Sequence, residues 1–149
     1  MKKIYRIIGI ILIFVLLFFA GNTIGDKRPT VTINNHAFYL YVVRTPKDRE
    51  IGLSKYNDIP QNFGMIFLFD KPDFYSFWMK GMKFPIDIIF IKDYRVVTVY
   101  KNVSPPKGQN EGLLRYEPKS KADRVLEINS GLSQRYNIKE NDIIKISNL

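Results

Sequence analysis

PIDIIFIKDYRVVTVYKNV, residues 85–103, decides the fold class. Ile86–Ile91 is apolar apart from Asp87. Lys92-Asp93-Tyr94-Arg95 is a polar turn signal, and Val96–Val103 runs back rich in β-branched residues. Two such runs around a short polar break read as paired strands. Upstream, Gly64–Phe69 (GMIFLF) is an apolar strand, Asp70-Lys71-Pro72-Asp73 a turn, and Tyr75–Met79 (YSFWM) an aromatic strand. Lys80 to Pro85 is a basic loop containing Gly81 and Pro85.

The pattern continues outward in both directions. Val31–Ile33 and Phe38–Val43 flank Asn34-Asn35-His36, which predicts a hairpin with His36 exposed at its turn. Thr45-Pro46-Lys47-Asp48 is a helix start. Thr45 suits the N-cap, Pro46 the first position, and Asp48 and Glu50 the electropositive first turn. That helix should end near Ser54 to Tyr56, with a loop from Asn57 to Gly64. Downstream, Ser104 to Lys121 is a long polar segment with three prolines. Loops of that length are uncommon in compact domains and are often functional. Arg124–Ile128 is a strand, Leu132–Tyr136 a short helical turn after Gly131, and Asp142–Ser147 the closing strand. The predicted class is all-β with one or two short helices. The architecture is a compact sandwich or partly closed barrel of about seven to eight strands.

The N-terminus has a different character. Lys2, Lys3 and Arg6 precede the run IIGIILIFVLLFFA from Ile7 to Ala20. A positive flank before an apolar core is the layout of an export signal, and the positive side stays cytoplasmic. The run is short of the roughly 20 residues of a full span. Phe18-Phe19-Ala20 makes no small-x-small cleavage site. Residues 1–28 are therefore read as a signal peptide or membrane anchor plus tether, the anchor being favoured. Residues 29–149 form a single domain, expected to be extracytoplasmic and monomeric.

Composition narrows the function classes. The chain has no cysteine, which excludes disulfides, thiolate metal sites and a cysteine nucleophile. The formal charge is +9, of which residues 1–28 carry +4 and residues 29–149 carry +5. A modest positive balance favours anionic partners such as lipid headgroups or acidic wall polymers. The scattered charges and the export signal argue against nucleic acid. No nucleophile elbow, phosphate loop or zinc spacing is present.

Several motifs occur in order: Arg49-Glu50-Ile51-Gly52-Leu53, Gly64-Met65-Ile66-Phe67, Phe77-Trp78-Met79-Lys80, Pro85-Ile86-Asp87-Ile88-Ile89-Phe90-Ile91, Ser104-Pro105, and Val125-Leu126-Glu127-Ile128-Asn129 with Gly131. Together they resemble DUF192, domain-of-unknown-function family 192, over about residues 31–148. The resemblance implies an all-β, sandwich-like or barrel-like fold with a small helix, often behind an export signal. It implies no activity. Three positions depart from the family pattern. Ser54 replaces the Met after Gly-Leu, Gly81-Met82 replaces Asn-Thr after Trp-Met-Lys, and Asn141-Asp142 replaces Gly-Asp.

Five residues are candidate binding positions: Arg49, Trp78, Lys80, Asp87 and Glu127. Asp87 and Glu127 are carboxylates within apolar strands, where a charge needs a partner or several donors. Each reads either as a ligand-binding or acid–base group, or as a structural group paired with arginine. For Asp87, capping of backbone is a further alternative. Convergence of the two would suit glycoside chemistry. Trp78 offers a stacking platform or core packing. Lys80 and Lys83 would receive an anion or remain solvated. Met65, Met79 and Met82 either offer thioethers to Cu(I) or fill the core. No metal or cofactor is expected. The leading expectation is a non-catalytic envelope domain that binds a small molecule, a glycan or an anionic envelope component. It is held at the membrane by its N-terminal segment. The alternatives are a carboxylate-dependent hydrolase or glycan-processing enzyme using Asp87 and Glu127, and a purely structural accessory domain.

Overall fold

The computed structural model describes residues 27–108 and 114–149. Two hairpins anchor it. β1 (Thr30–Ile33) and β2 (His36–Val43) are joined through Asn34 and Asn35, both at positive φ. β4 (Ile86–Lys92) and β5 (Arg95–Val103) are joined through Asp93 and Tyr94, also at positive φ. Two central residues with φ > 0 match the right-handed twist of the flanking strands.

Between the hairpins, α1 (Pro46–Ile51) and a 3₁₀ turn (Gly52–Lys55) carry the chain from β2 to β3 (Phe63–Asp73). Thr45 caps α1 by accepting from the Asp48 amide at 3.2 Å. This crossover lets β2 and β3 pair in parallel, which a tight turn cannot do. β6 (Ala122–Asn129), α2 (Leu132–Arg135) and β7 (Ile144–Ser147) complete the chain.

The seven strands among the described residues form one sheet in the order β5-β4-β6-β3-β2-β1-β7. The sheet curls into a half-barrel. At one end its two edges meet: the Val96 amide donates to Asp142 O at 2.9 Å, and the Ile144 amide to Tyr94 O at 2.9 Å. Of the two expected architectures, the partly closed barrel is therefore the one that forms.

Both faces of the sheet are apolar. The inner face is filled by Val31, Phe38, Ile66, Ile89, Leu126 and Ile128, closed by Leu132 and Ile138. The outer face carries Met65, Phe67, Ile86, Ile88, Phe90 and Val125. Leu53, Ile59, Met79 and Phe84 from the connecting segments cover it. Burial on both sides explains why β4 reads as a continuous apolar run.

Two sequence expectations change. Asp70–Asp73 is the end of β3 and not a turn. Tyr75–Met79 is no strand; only Phe77 bridges, to Tyr116. Its apolar character comes from draping over the outer face, where Phe77 lies edge-on to Phe67 at 5.0 Å and to Phe90 at 5.8 Å. His36 is exposed, as expected, but it begins β2 and stacks on Tyr136 at 3.8 Å. No helix among the described residues is long and apolar enough to cross a membrane. The apolar run Ile7–Ala20 lies outside the described residues.

Candidate functional site

The two strand carboxylates have opposite fates. Asp87 projects from β4 to the inner face and is 0% exposed. Facing it, β5 carries a bulge: Ile86 pairs with Val103 and Ile88 with Tyr100, so β5 has one residue more than β4 between them. Asn102 in that bulge has φ 54°. The distortion brings its amide to Asp87 Oδ1 at 2.7 Å, an N–H that a regular ladder would have used otherwise. The Gly131 amide donates to the same oxygen at 3.2 Å, and the Ser133 amide donates to Oδ2 at 2.7 Å. Asp87 thus ties β4, β5 and the start of α2 together through three backbone donors. This is the capping role considered from sequence, and Arg49 is not its partner.

Glu127 projects to the outer face. It lies opposite Met65 on β3 and Ile88 on β4, both buried. Its side chain is 5% exposed and lines a groove of about 400 Å³. Burial alone pushes its carboxyl up to about 8. At neutral pH it is mostly protonated, and so able to donate one O–H and accept at its carbonyl oxygen.

The groove runs between α1 with its 3₁₀ turn and the segment 75–82. Arg49 forms part of one wall. Its Nη2 donates to Leu68 O, and its guanidinium lies 4.4 Å over the Phe69 ring. Its Nε is buried without a hydrogen-bond partner. Phe69 and Tyr75 stack at 3.5 Å and 13°. Burial first, and then the Asp73 carboxylate, push the Tyr75 phenol above its ordinary value. Trp78 is 38% exposed at the groove, with Arg115 5.3 Å from its ring.

Lys80 is exposed at the groove margin, in a turn closed by the Met82 amide donating to Met79 O at 3.2 Å. Gly81 takes φ +72° in that turn, a conformation open to glycine and, less readily, to asparagine. Glycine at this position therefore keeps the turn that the usual asparagine of the family pattern also permits.

Of the five sequence candidates, Arg49, Trp78, Lys80 and Glu127 line one groove, and Asp87 lies away from it on the other face. Sequence reasoning missed Phe69. Its signal was its place two residues beyond Phe67, on the same face of β3 as Met65. Lys83 bonds Asn57 Oδ1 at 2.9 Å. Met65 and Met79 are buried in the outer core, with Met82 packed against it. Among the described residues no group of histidine, aspartate and glutamate side chains gathers in a metal-binding arrangement. Residues 104–107 and Leu114 line a separate hollow beside Tyr100 and Tyr116.

The comparisons with known proteins agree with this architecture. A crystal structure of a protein of unknown function from Novosphingobium aromaticivorans is similar at 35% identity and TM-score 0.68, covering 79% of this chain and 83% of its own. A crystal structure from Sinorhizobium meliloti, described as that of a candidate transcription regulator, is similar at 25% identity and TM-score 0.69. It covers 82% of this chain and 94% of its own. No curated protein matches the chain. The family profile described as "Uncharacterized ACR" matches residues 29–146. The chain belongs to the DUF192 family.

Proposed function

We propose that this domain is a non-catalytic binding module for a small ligand, presented outside the cytoplasm by the N-terminal segment. The observation that carries the reading is Glu127. A carboxyl group that is 5% exposed and held protonated by burial alone lines a groove with aromatic walls and the Arg49 guanidinium. In the same groove the Arg49 Nε is buried without a hydrogen-bond partner, an unsatisfied donor that a ligand could engage. The partial exposure of Trp78 in the same groove favours binding over a purely structural role.

The hydrolase alternative needs two carboxylates around one bond. Asp87 and Glu127 face opposite sides of the sheet, so that alternative loses its catalytic pair. The export reading rests on the Lys2-Lys3-Arg6 flank and the apolar run behind it.

The test is a thermal-shift screen of the full chain against wall glycan fragments, small organic acids and vesicles of anionic lipid. A ligand at one hundred times its dissociation constant should add about 2.7 kcal/mol of stability. A flat response across all three classes would remove the binding reading. For location, a C-terminal tag should be digested by protease added to intact spheroplasts. A protected tag would overturn the export reading.

A further inference from the structure

The chemistry of the groove selects a ligand class, and this inference rests on the binding reading above. We propose that the groove takes a small planar ring bearing one carboxylate. The ring lies against Trp78 and the Phe69–Tyr75 stack, and the carboxylate lies between Glu127 and the Arg49 guanidinium.

Size, walls and polar groups agree. A groove of about 400 Å³ holds a molecule of one or two rings. Aromatic side chains pack best on another ring, offset or edge-on. The polar groups at the base favour an acceptor. Protonated Glu127 has an O–H to donate, and the Arg49 Nε is buried without an acceptor. Arg49 supplies a positive charge, and Lys80 supplies another at the margin. Among the described residues, Glu50 on α1 is the only other carboxylate lining the groove, and it is exposed.

An amine ligand would meet Arg49 and Lys80 as like charges. A phosphate dianion would bring two negative charges against a buried carboxyl while one arginine nitrogen is already committed to Leu68 O. A single carboxylate fits both groups. It accepts from the acid, and its charge is balanced by the guanidinium.

Trp78 is the sole tryptophan of the chain, so its emission reports on the groove. The experiment is a fluorescence titration of the purified full chain, in detergent micelles, with phenylacetate as probe. 2-Phenylethylamine and inorganic phosphate serve as contrasts. Phenylacetate should give a saturable change, with affinity roughly tenfold weaker at pH 9 than at pH 6.5, because the Glu127 proton is lost between them. Glu127→Gln keeps a donor at every pH. It should bind at pH 6.5 and lose the pH dependence, which separates this carboxyl from Glu50, Tyr75 and Lys80 facing the same groove. Arg49→Lys should weaken binding about tenfold.

Tighter binding of the amine, equal competition by phosphate, or wild-type affinity that does not change with pH would overturn the proposal. If phenylacetate fails while another compound of the thermal-shift screen stabilises the chain, the ligand class is wrong and the binding reading stands. If nothing in either experiment binds, both fall.

Discussion

Asp87 and Glu127 lie one register step apart on neighbouring strands and point in opposite directions. Asp87 pairs with Ile128, Glu127 pairs with Ile88, and paired residues share a face. One carboxylate therefore serves the inner core and the other the outer groove. Their environments separate their chemistry: three amides hold Asp87, whereas burial alone raises Glu127.

Replacing Asp87 should destabilise the fold with no direct effect on the groove. Asp87→Ala leaves three amides at a buried site without their acceptor. The expected loss is about 3 kcal/mol or more, given the cost of leaving buried donors unsatisfied. Urea unfolding measures it directly. An unchanged midpoint would show that α2 and the β5 bulge do not depend on this carboxylate.

Glu127 should make stability depend on pH with a definite sign. Its folded pKa is about 8, against an ordinary value of 4.5. The folded state thus holds the proton more tightly than the unfolded chain. The stabilisation is complete below about pH 4.5, declines as pH rises, and is lost by passage through about pH 8. The full span is on the order of 4 kcal/mol. Glu127→Gln cannot titrate, so the difference between its unfolding free energy and that of the wild type should change by that amount between pH 4.5 and 9. Parallel curves for the two proteins would refute the burial argument.

Gly64 should not tolerate a methyl group. A Cβ there would come within 2.9 Å of Leu126 Cδ1 and 3.2 Å of Ile128 Cγ2. Both neighbours are fully buried in the inner core, so neither has room to retreat. Gly64→Ala is expected to cost about 1–3 kcal/mol from overpacking. Denaturant unfolding gives the value, and a neutral result would mean β6 can shift freely against β3.

Trp78 and Phe67 should behave differently. Phe67 is buried in the outer core, and Phe67→Ala should cost about 3–5 kcal/mol. Trp78 is partly exposed, and Trp78→Ala should cost about 1 kcal/mol or less in stability. The same change should weaken any groove ligand, read by calorimetry, since the variant lacks the tryptophan that reports on the groove. A large stability loss at Trp78 would instead return it to a packing role.

Much of this protein is local and was legible in the amino-acid order. Turn residues at positive φ between β-branched runs defined both hairpins, and Thr45-Pro46 marked the start of α1. Alternation along β4 already separated Asp87 from Ile86 and Ile88. The ordered motifs pointed to the family. Pairing between distant segments was another matter. The parallel contact of β2 with β3, and the insertion of β6 between β3 and β4, join residues far apart in the chain. Periodicity reports which side chains share a face of one strand. It carries no information on which strand lies alongside, because that choice is made by burial of whole surfaces against loop-closure entropy. For the same reason the aromatic run Tyr75–Met79 imitated a strand. Its rings were selected to cover the outer face, and apolarity alone does not distinguish a ladder from a lid. The placement of Glu127 and Arg49 along one groove, with Asp87 behind the sheet, was settled only when register and curl brought those segments together.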